Sequence, residues 1–388
     1  MVILRLRSAL KARSNHEWRT INIQYVCDLA PFDKLRASGQ YPRFLKCIIL
    51  KYSDTAGLLM TVLENLNGWF LPDSCSIMKA GNGYVLISPC RDEADYMRQT
   101  LDSIVAQSLR PAKWVIVDDG SKDETPQILA EYARQHDWIE IVTRNDRGHR
   151  AVGPGVIDAF YAGLDTINLR DFEYLCKLDL DLNIPPRYFE LLIEQMKQQP
   201  RLGTCSGKPY FPDPDTGELI SEMCGDEMSV GMTKFYRTRC FEEIGGFVRE
   251  VMWDGIDCHT CRMKGWLARS WDDPDLRFLH LRAMGSSQKG MLTGRQRHGF
   301  GQYFMGTWFP YMVASAAFRM TRPPIVVGGL AMLWGYITSW ARGLPKYNNT
   351  EFIRFLHAYQ KRCMIVGKRK ATEEIEQKIL GINQQVAV

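Results

Sequence analysis

The sequence predicts an α/β protein whose central sheet is mostly parallel and carries helices on both faces. Two observations predict it. From Tyr84 to Met196, short apolar runs of strand length alternate with segments of helical period. Two of those runs end in acidic motifs, Asp118-Asp119 and Asp179-Leu180-Asp181. In open α/β sheets ligands bind beyond the carboxyl ends of the strands, so both motifs are expected in one cleft.

Each element has its own signal. Tyr84–Ser88 (YVLIS) is a short apolar run and reads as a buried strand. Asp92 can cap the next helix, in which Ala94, Met97, Leu101, Ile104 and Val105 follow the helical period. Pro111 breaks the chain, and Lys113–Val117 is the second strand. Ser121 and Glu124 have capping-box spacing, and Pro126 suits a first helical turn. Ile128, Leu129, Tyr132 and Ala133 give that helix its inner face, and Ile139–Thr143 is the third strand. Val156, Ile157, Phe160 and Leu164 mark another helix. Tyr174–Leu178 is the fourth strand, and Pro185-Pro186 opens a helix through Met196.

The composition sets bounds. A chain of 388 residues suggests two domains at roughly 150 residues each. Hydrophobic residues at 45% and charged residues at 24% exclude disordered, collagen-like and disulfide-miniprotein classes. The net charge of +5 and the pI near 8.5 are too weakly basic to predict a nucleic-acid partner. They fit an anionic substrate or an anionic membrane surface. Eleven scattered cysteines point to a reducing compartment. The pair Cys258 and Cys261 lacks the further ligands of a zinc site unless His259 and His280 supply them, and two buried thiols on a helix are expected instead.

Residues 1–77 show no sustained periodicity. Val2-Ile3-Leu4 is too short for a signal-peptide core, and Ala56–Leu63 has no partner pattern. This segment is expected to be an N-terminal extension, with Met78 as a natural start; a small subdomain is the alternative.

The acidic motifs carry the chemistry. Two carboxylates two residues apart at a strand end suit Mg²⁺ or Mn²⁺, which also bind substrate phosphates. A solvated acidic turn has the same residues, and Asp118-Asp119-Gly120-Ser121 alone reads as a capping turn. Together, about 60 residues apart in one α/β unit, the motifs are far more specific.

Ser88-Pro89-Cys90-Arg91-Asp92-Glu93, Val117-Asp118-Asp119-Gly120-Ser121-Lys122-Asp123 and Asp179-Leu180-Asp181 together resemble a family 2 glycosyltransferase, in order and in spacing. The resemblance covers roughly residues 80–310. It implies a GT-A fold, a nucleotide-diphosphate sugar donor and inversion at the anomeric carbon. It places Pro89, Arg91 and Glu93 beside the nucleoside. Asp119 would hold the base, and Asp118 would shape that turn. Asp179 and Asp181 would bind the metal, with Asp181 the more direct ligand. Arg147 and Arg150 would reach the donor from the loop before the next helix; a solvated basic loop would look the same.

An inverting transfer needs a general base for the acceptor hydroxyl. The family has a Glu-Asp pair here, whereas this chain has Trp253-Asp254-Gly255-Ile256-Asp257-Cys258. Asp257 is the first expectation and Asp254, counted back from Gly265, the second; an N-cap of a helix over 257–264 is the structural alternative. Gly245-Gly246-Phe247 resembles the turn before this loop, and Ser221–Phe247 is expected to carry acceptor contacts, with Asp226 and Glu227 as candidates. His280 would complete the metal shell. Gly294–Gly299 resembles the stretch that contacts the diphosphate, so Arg295 and Arg297 are expected on the donor. The QxxRW of processive synthases is absent.

The apolar run Ile325–Trp340 lies between Arg319, Arg322 and Arg342. Sixteen residues at ~1.5 Å each fall short of the ~30 Å hydrocarbon core. With the aromatic-rich Tyr303–Phe318 it fits interfacial helices at the cytoplasmic face of a membrane, or a buried helical hairpin. Residues 344–388 read as a polar helical tail, with Phe352, Phe355, Leu356 and Tyr359 packed. The expected organisation is an extension (1–77), a catalytic domain (78–300), apolar membrane-associated helices (301–343) and the tail.

The expected activity is metal-dependent inverting transfer of a sugar from an NDP-sugar, UDP-linked by first expectation. The acceptor would be a hydroxyl of a surface glycan or a lipid-linked glycan. An inactive membrane-associated scaffold of the same fold is the non-enzyme alternative. A nucleotidyltransferase is disfavoured because Ser88–Glu93 contains no glycine.

Overall fold

The computed structural model describes residues 2–14, 17–29, 83–148, 153–213, 216–282 and 290–386. The chain divides into two compact units, 1–77 and 78–388. In the first, β1 (Val2–Ser14) and β2 (Glu17–Leu29) form an antiparallel hairpin with Val2 opposite Leu29 and Ser14 opposite Glu17. The sequence reading missed it. Its signal is the alternation of Leu4, Leu6 and Leu10 with Arg5, Arg7 and Lys11. Ala56–Leu63 lies outside the described residues.

The second unit is built on a seven-stranded sheet. The predicted strands are present as β3 (Tyr84–Cys90), β4 (Lys113–Asp118), β5 (Ile139–Thr143) and β6 (Tyr174–Leu178). Later strands are β7 (Leu182–Asn183), β8 (Leu202–Ser206), β9 (Lys208–Pro212), β10 (Leu219–Ser221), β11 (Thr233–Arg237), β12 (Leu267–Ser270) and β13 (Arg277–His280). The large sheet runs β12-β8-β11-β6-β3-β4-β5. β3 is parallel to β4 and β6, β4 to β5, and β12 to β8. Only β11 runs antiparallel, between β6 and β8. A second sheet, β10-β9-β13-β7, lies beside Asp179–Asp181, with His280 opposite Leu182.

The helices follow as α1 (Met97–Val105), α2 (Thr125–Gln135), α3 (Pro154–Leu164), α4 (Tyr188–Gln198), α5 (Thr238–Glu243) and α6 (Trp253–Met263). They cover both faces of the sheet. Tyr84, Leu86, Trp114 and Ile116 pack with α1, α2 and α4, while Val85, Ile87, Val115 and Val117 pack with α3. Strands buried on both sides need apolar residues at every position, which explains their unbroken runs. α3 reaches the sheet at Gly163, where a β-carbon would lie 2.7 Å from Val117 Cγ2.

Asp92 does not cap α1, which begins five residues later. Its carboxylate accepts instead from Lys122 N (2.8 Å), and its own amide donates to Ser121 Oγ (2.9 Å). The hydroxyl expected in a capping box thus fastens the loop after β4 to the loop after β3. Asp257 is likewise no N-cap, because α6 begins at Trp253.

The C-terminal quarter is helical: α7 (Met291–Met305), α8 (Phe309–Met320), α9 (Val327–Ala341), α10 (Thr350–Val366) and α11 (Lys368–Val386). The domain boundary expected at 300 falls inside α7. Phe352, Leu356 and Tyr359 are buried, so the tail is docked. α7 and α9 meet backbone to backbone. A β-carbon on Gly299 would lie 1.9 Å from the Met332 carbonyl oxygen, and one on Gly335 would lie 2.1 Å from that of Gln296. A carbonyl in a helix cannot retreat as a side chain can. Gly299→Ala is therefore expected to force the helices apart and cost about 1–3 kcal/mol. Urea denaturation reads it, and an unchanged midpoint would contradict the close approach.

Candidate active site

The strand ends open into one cavity of about 730 Å³. Pro89, Arg91 and Glu93 line it from the loop after β3, Asp119 from the loop after β4, and Asp179 and Asp181 from beyond β6. The two acidic motifs therefore share a cleft, as their strand-end positions predict.

The loops after β3 and β4 are cross-braced. Asp118 is buried, and its carboxylate accepts from Ser121 N (3.0 Å), which shapes the turn. Gly120 holds φ +76°, and a β-carbon there would lie 2.5 Å from Asp146 Cα. Arg91 donates to the Asp119 carbonyl oxygen (2.8 Å) and to Asp146 Oδ1 (2.6 Å), so its guanidinium holds the loops together. The Asp119 carboxylate accepts from Arg144 Nη1 (2.9 Å) and pairs with Arg147. Arg150 lies outside the described residues.

The Asp179-Leu180-Asp181 motif is framed by cations. Lys177, Asp179 and Asp181 alternate along the chain and all face the cavity. Lys177 pairs with Asp179 and donates to the Gly231 carbonyl oxygen (3.0 Å). Arg282 bridges Asp181 (Nε to Oδ2, 2.7 Å) and Glu93 (Nη2 to Oε1, 2.8 Å). His280 Nε2 lies 3.5 Å from Asp181 Oδ2, and its Nδ1 lies 3.0 Å from Glu222 Oε1. Burial alone would raise the Asp181 carboxyl, but His280 and Arg282 hold it down at about 2. Burial opposes charge on His280, yet Asp181 and Glu222 raise it to about 9. Asp179 is pushed up by burial against the pull of Lys177. Two carboxylates and an imidazole on one cavity wall are the donor types that suit Mg²⁺ or Mn²⁺. Among the described residues, no three His, Cys, Asp or Glu converge as a formed metal cage.

The two candidate bases occupy different environments. Asp254, in the first turn of α6, lines the cavity. Asp257, one turn on, does not: it is 2% exposed and tied to Lys234 and to the Tyr236 hydroxyl. Burial raises its carboxyl to about 6, against the opposing pull of Lys234. Lys234 also donates to the Asp254 carbonyl oxygen (2.7 Å), which anchors the start of α6. Met252, just before, adopts φ +70°, a conformation rare for a residue with a side chain. The preference between the two carboxylates therefore reverses, because only Asp254 meets the cavity.

The remaining candidates separate as well. Arg295 lines the cavity and Arg297 does not. They sit on a helix rather than in a turn. Asp226 pairs with Lys208 (2.8 Å) and Glu227 with Lys368 (2.5 Å), and neither faces the cavity, whereas their neighbours Met223, Cys224, Gly225 and Met228 do. Gly245 and Gly246 both hold positive φ and turn the chain into the buried Phe247, as that motif predicts. Cys258 and Cys261 are buried thiols on α6, with Cys261 Sγ 3.6 Å from Cys240 Sγ. Sequence reasoning missed Lys177, Glu222 and Arg282. Lys177 and Arg282 were within reach, because each lies two residues from a named candidate on the same strand path. Glu222 lies within the 221–247 stretch expected to carry acceptor contacts, but nothing there set it apart from Asp226 and Glu227.

Residues 85–251 match the model of the family described as Glycosyl transferase family 2. The poly-beta-1,6-N-acetyl-D-glucosamine synthase of Staphylococcus epidermidis is 28% identical over 128 residues, covering 33% of this chain and 28% of the relative. The enzyme of the same name from Staphylococcus aureus strain MSSA476 is 26% identical over the same length. This chain thus spans under a third of the curated relatives it matches. Among solved structures, the mannosyltransferase PcManGT from Pyrobaculum calidifontis, in complex with GDP-Man and Mn²⁺, aligns with TM-score 0.42 and 17% identity, covering 83% of this chain and 92% of that one. GalNAc-T7 with UDP, GalNAc and Mn²⁺ aligns with TM-score 0.49 and 12% identity, covering 74% and 58%. Residues 85–251, which carry the loops after β3 and β4 and the Asp179/Asp181 pair, are thus similar to glycosyl transferase family 2.

Proposed function

We propose that this protein is a metal-dependent inverting glycosyltransferase that moves a sugar from an NDP-sugar to a hydroxyl of a glycan or lipid-linked acceptor in surface-glycan synthesis. The observation that carries the proposal is the convergence of Asp119, the Asp179/Asp181 pair and Asp254 on one cavity.

The roles follow from position. Asp119, braced by Arg144 and Arg147, accepts from the nucleotide base. Pro89, Arg91 and Glu93 bound the nucleoside. Asp179 and Asp181, with His280, would hold a divalent ion, whose charge would offset that of the departing diphosphate. Lys177 and Arg282 balance the two carboxylates otherwise. Asp254 takes the proton of the acceptor hydroxyl. The hydroxyl oxygen then bonds to the anomeric carbon on the face opposite the leaving group. The bond from that carbon to the diphosphate oxygen breaks, and the configuration inverts. An N-acetylglucosamine donor comes first in a panel, because the staphylococcal relatives are named for a polymer of that sugar.

A membrane surface is part of the proposal. Among the described residues no helix is long and apolar enough to cross a membrane. Yet α8, α9 and the turn between them expose Phe318 (62%), Ile325 (66%), Trp334 (60%) and Trp340 (66%). Exposed aromatic and aliphatic residues beside arginines suit the headgroup layer of an anionic leaflet. We therefore place the protein as peripheral or monotopic at the cytoplasmic face.

The test is metal-dependent nucleotide binding. Wild-type protein is titrated with NDP-sugars in the presence and absence of Mn²⁺, and bound Mn²⁺ is read independently by electron paramagnetic resonance. Asp181→Ala is expected to lose Mn²⁺ binding and at least ten-fold in metal-dependent nucleotide affinity, the scale of one charge-assisted contact. No NDP-sugar binding by wild type under either condition would favour the scaffold reading.

A further inference from the structure

Two arginines in the cavity wall have no partner among the described residues. Arg295 of α7 and Arg319 of α8 both line the cavity. The Nε of each is buried without a hydrogen-bond partner, and neither is paired with a carboxylate among the described residues. The sequence offers none nearby, since residues 276–350 contain no Asp or Glu. Within residues 291–350 the charged groups are Arg295, Arg297, Arg319, Arg322, Arg342 and Lys346, all cationic, although the whole chain carries only +5.

Their location narrows the ligand. A β-carbon on Gly328 would lie 3.3 Å from Pro324 and 4.0 Å from Arg295 Nε, so Arg295 reaches the turn between α8 and α9. Arg319 sits in the last turn of α8 beside Phe318, whose ring carries Arg322 at 4.9 Å. That turn exposes Ile325, Val326 and Val327. A guanidinium partly removed from water and left without an acid is costly unless an anion arrives from outside. Burial and the Arg322 charge both work against protonation of Arg319, in keeping with a missing counter-ion. A soluble anion has no use for the apolar rim. An amphiphile with a phosphate headgroup uses both.

We propose that Arg295 and Arg319 bind the phosphate of a lipid-phosphate acceptor whose chain lies along the α8–α9 turn, with its glycan directed toward Asp254. The inference rests on the glycosyltransferase reading of the cavity. It also moves Arg295 from the donor diphosphate to the acceptor.

Flotation with phosphatidylcholine vesicles, with and without phosphatidic acid, tests it. Wild-type protein is expected to bind the phosphatidic acid vesicles more tightly. Arg295→Gln and Arg319→Gln should each weaken that binding about ten-fold, as loss of a bidentate phosphate contact does. Arg342→Gln removes the same charge from the exposed end of α9 and should cost under about three-fold, as loss of a diffuse surface charge does. Recovery of part of the binding in Arg319→Lys would exclude misfolding as the cause. Equal losses in all three Gln variants would reduce the site to diffuse charge and overturn the inference. So would NDP-sugar affinity falling in step with lipid binding, which would return the arginines to the donor. Inorganic phosphate that abolishes vesicle binding at low concentration would make the ligand a free anion and remove the lipid. Failure of the glycosyltransferase reading has a separate signature: wild-type protein that binds lipid phosphate but no NDP-sugar, whereupon the acceptor role falls with it.

Discussion

Asp254→Asn is expected to lower sugar transfer by about 10²–10⁴-fold while leaving metal-dependent donor binding nearly intact. The amide keeps the size of the side chain and its place in the first turn of α6, but it cannot take a proton. Single-turnover transfer measured beside nucleotide titration separates the two effects. A fall in donor affinity equal to the fall in rate would make Asp254 a binding residue and remove it as the base. Asp257→Asn is the informative companion. Its carboxylate has no path to an acceptor, so a selective loss of turnover in that variant, with stability unchanged, would restore it as the base.

The largest expected effect on stability comes from Lys234. Its side chain is fully buried and supports α6 at three points: the Asp257 carboxylate, the Asp254 carbonyl oxygen and the Cys258 sulfur (3.4 Å). The Trp253 ring also meets two ammonium groups, 5.3 Å from Lys177 and 5.4 Å from Lys234. Lys234→Met leaves Asp257 buried without its cation, which is expected to cost about 3–5 kcal/mol. Adding Asp257→Leu should recover much of that loss, because replacing both partners of a buried pair by apolar groups is often near neutral. Chemical denaturation of the two single variants and the double variant checks this. A Lys234→Met protein as stable as wild type would show that the pair is not ionised together. The double variant also asks whether Asp254 still catalyses when the lysine no longer holds its carbonyl.

What the sequence made legible follows the physics of each signal. β3 to β6 were readable because strands buried on both faces leave unbroken apolar runs, and their acidic ends marked the cleft without a structure. β8 to β12 were not readable. Thr204, Ser206, Thr233 and Lys234 are buried polar residues that interrupt the pattern, and their partners are distant in sequence, such as Ser229 Oγ for Thr204 (2.8 Å) and Tyr188 for Thr233 (2.6 Å). The choice between Asp254 and Asp257 was undecidable by spacing alone. It depended on Lys234, which lies on a strand that nothing local announces. The basic segment at 294–299 did not announce a helix, because glycine flanks it and usually ends helices. Here Gly299 serves the opposite purpose, letting α9 approach α7.

The position of β11 has a consequence for how the chain acquires its shape. β8 pairs only with β11 and β12, both of which are later in sequence. When the ribosome has delivered residues up to about 210, β3 to β6 can already assemble as a parallel core with α1 to α4, but β8 has no neighbour to receive it. The β3–β6 half can therefore mature first, while β8 waits, edge exposed, for Thr233–Arg237 to insert antiparallel between β6 and β8. The strand that closes the sheet is also the one that carries Lys234, so the support beneath Asp254 is put in place by the same event that joins the two halves.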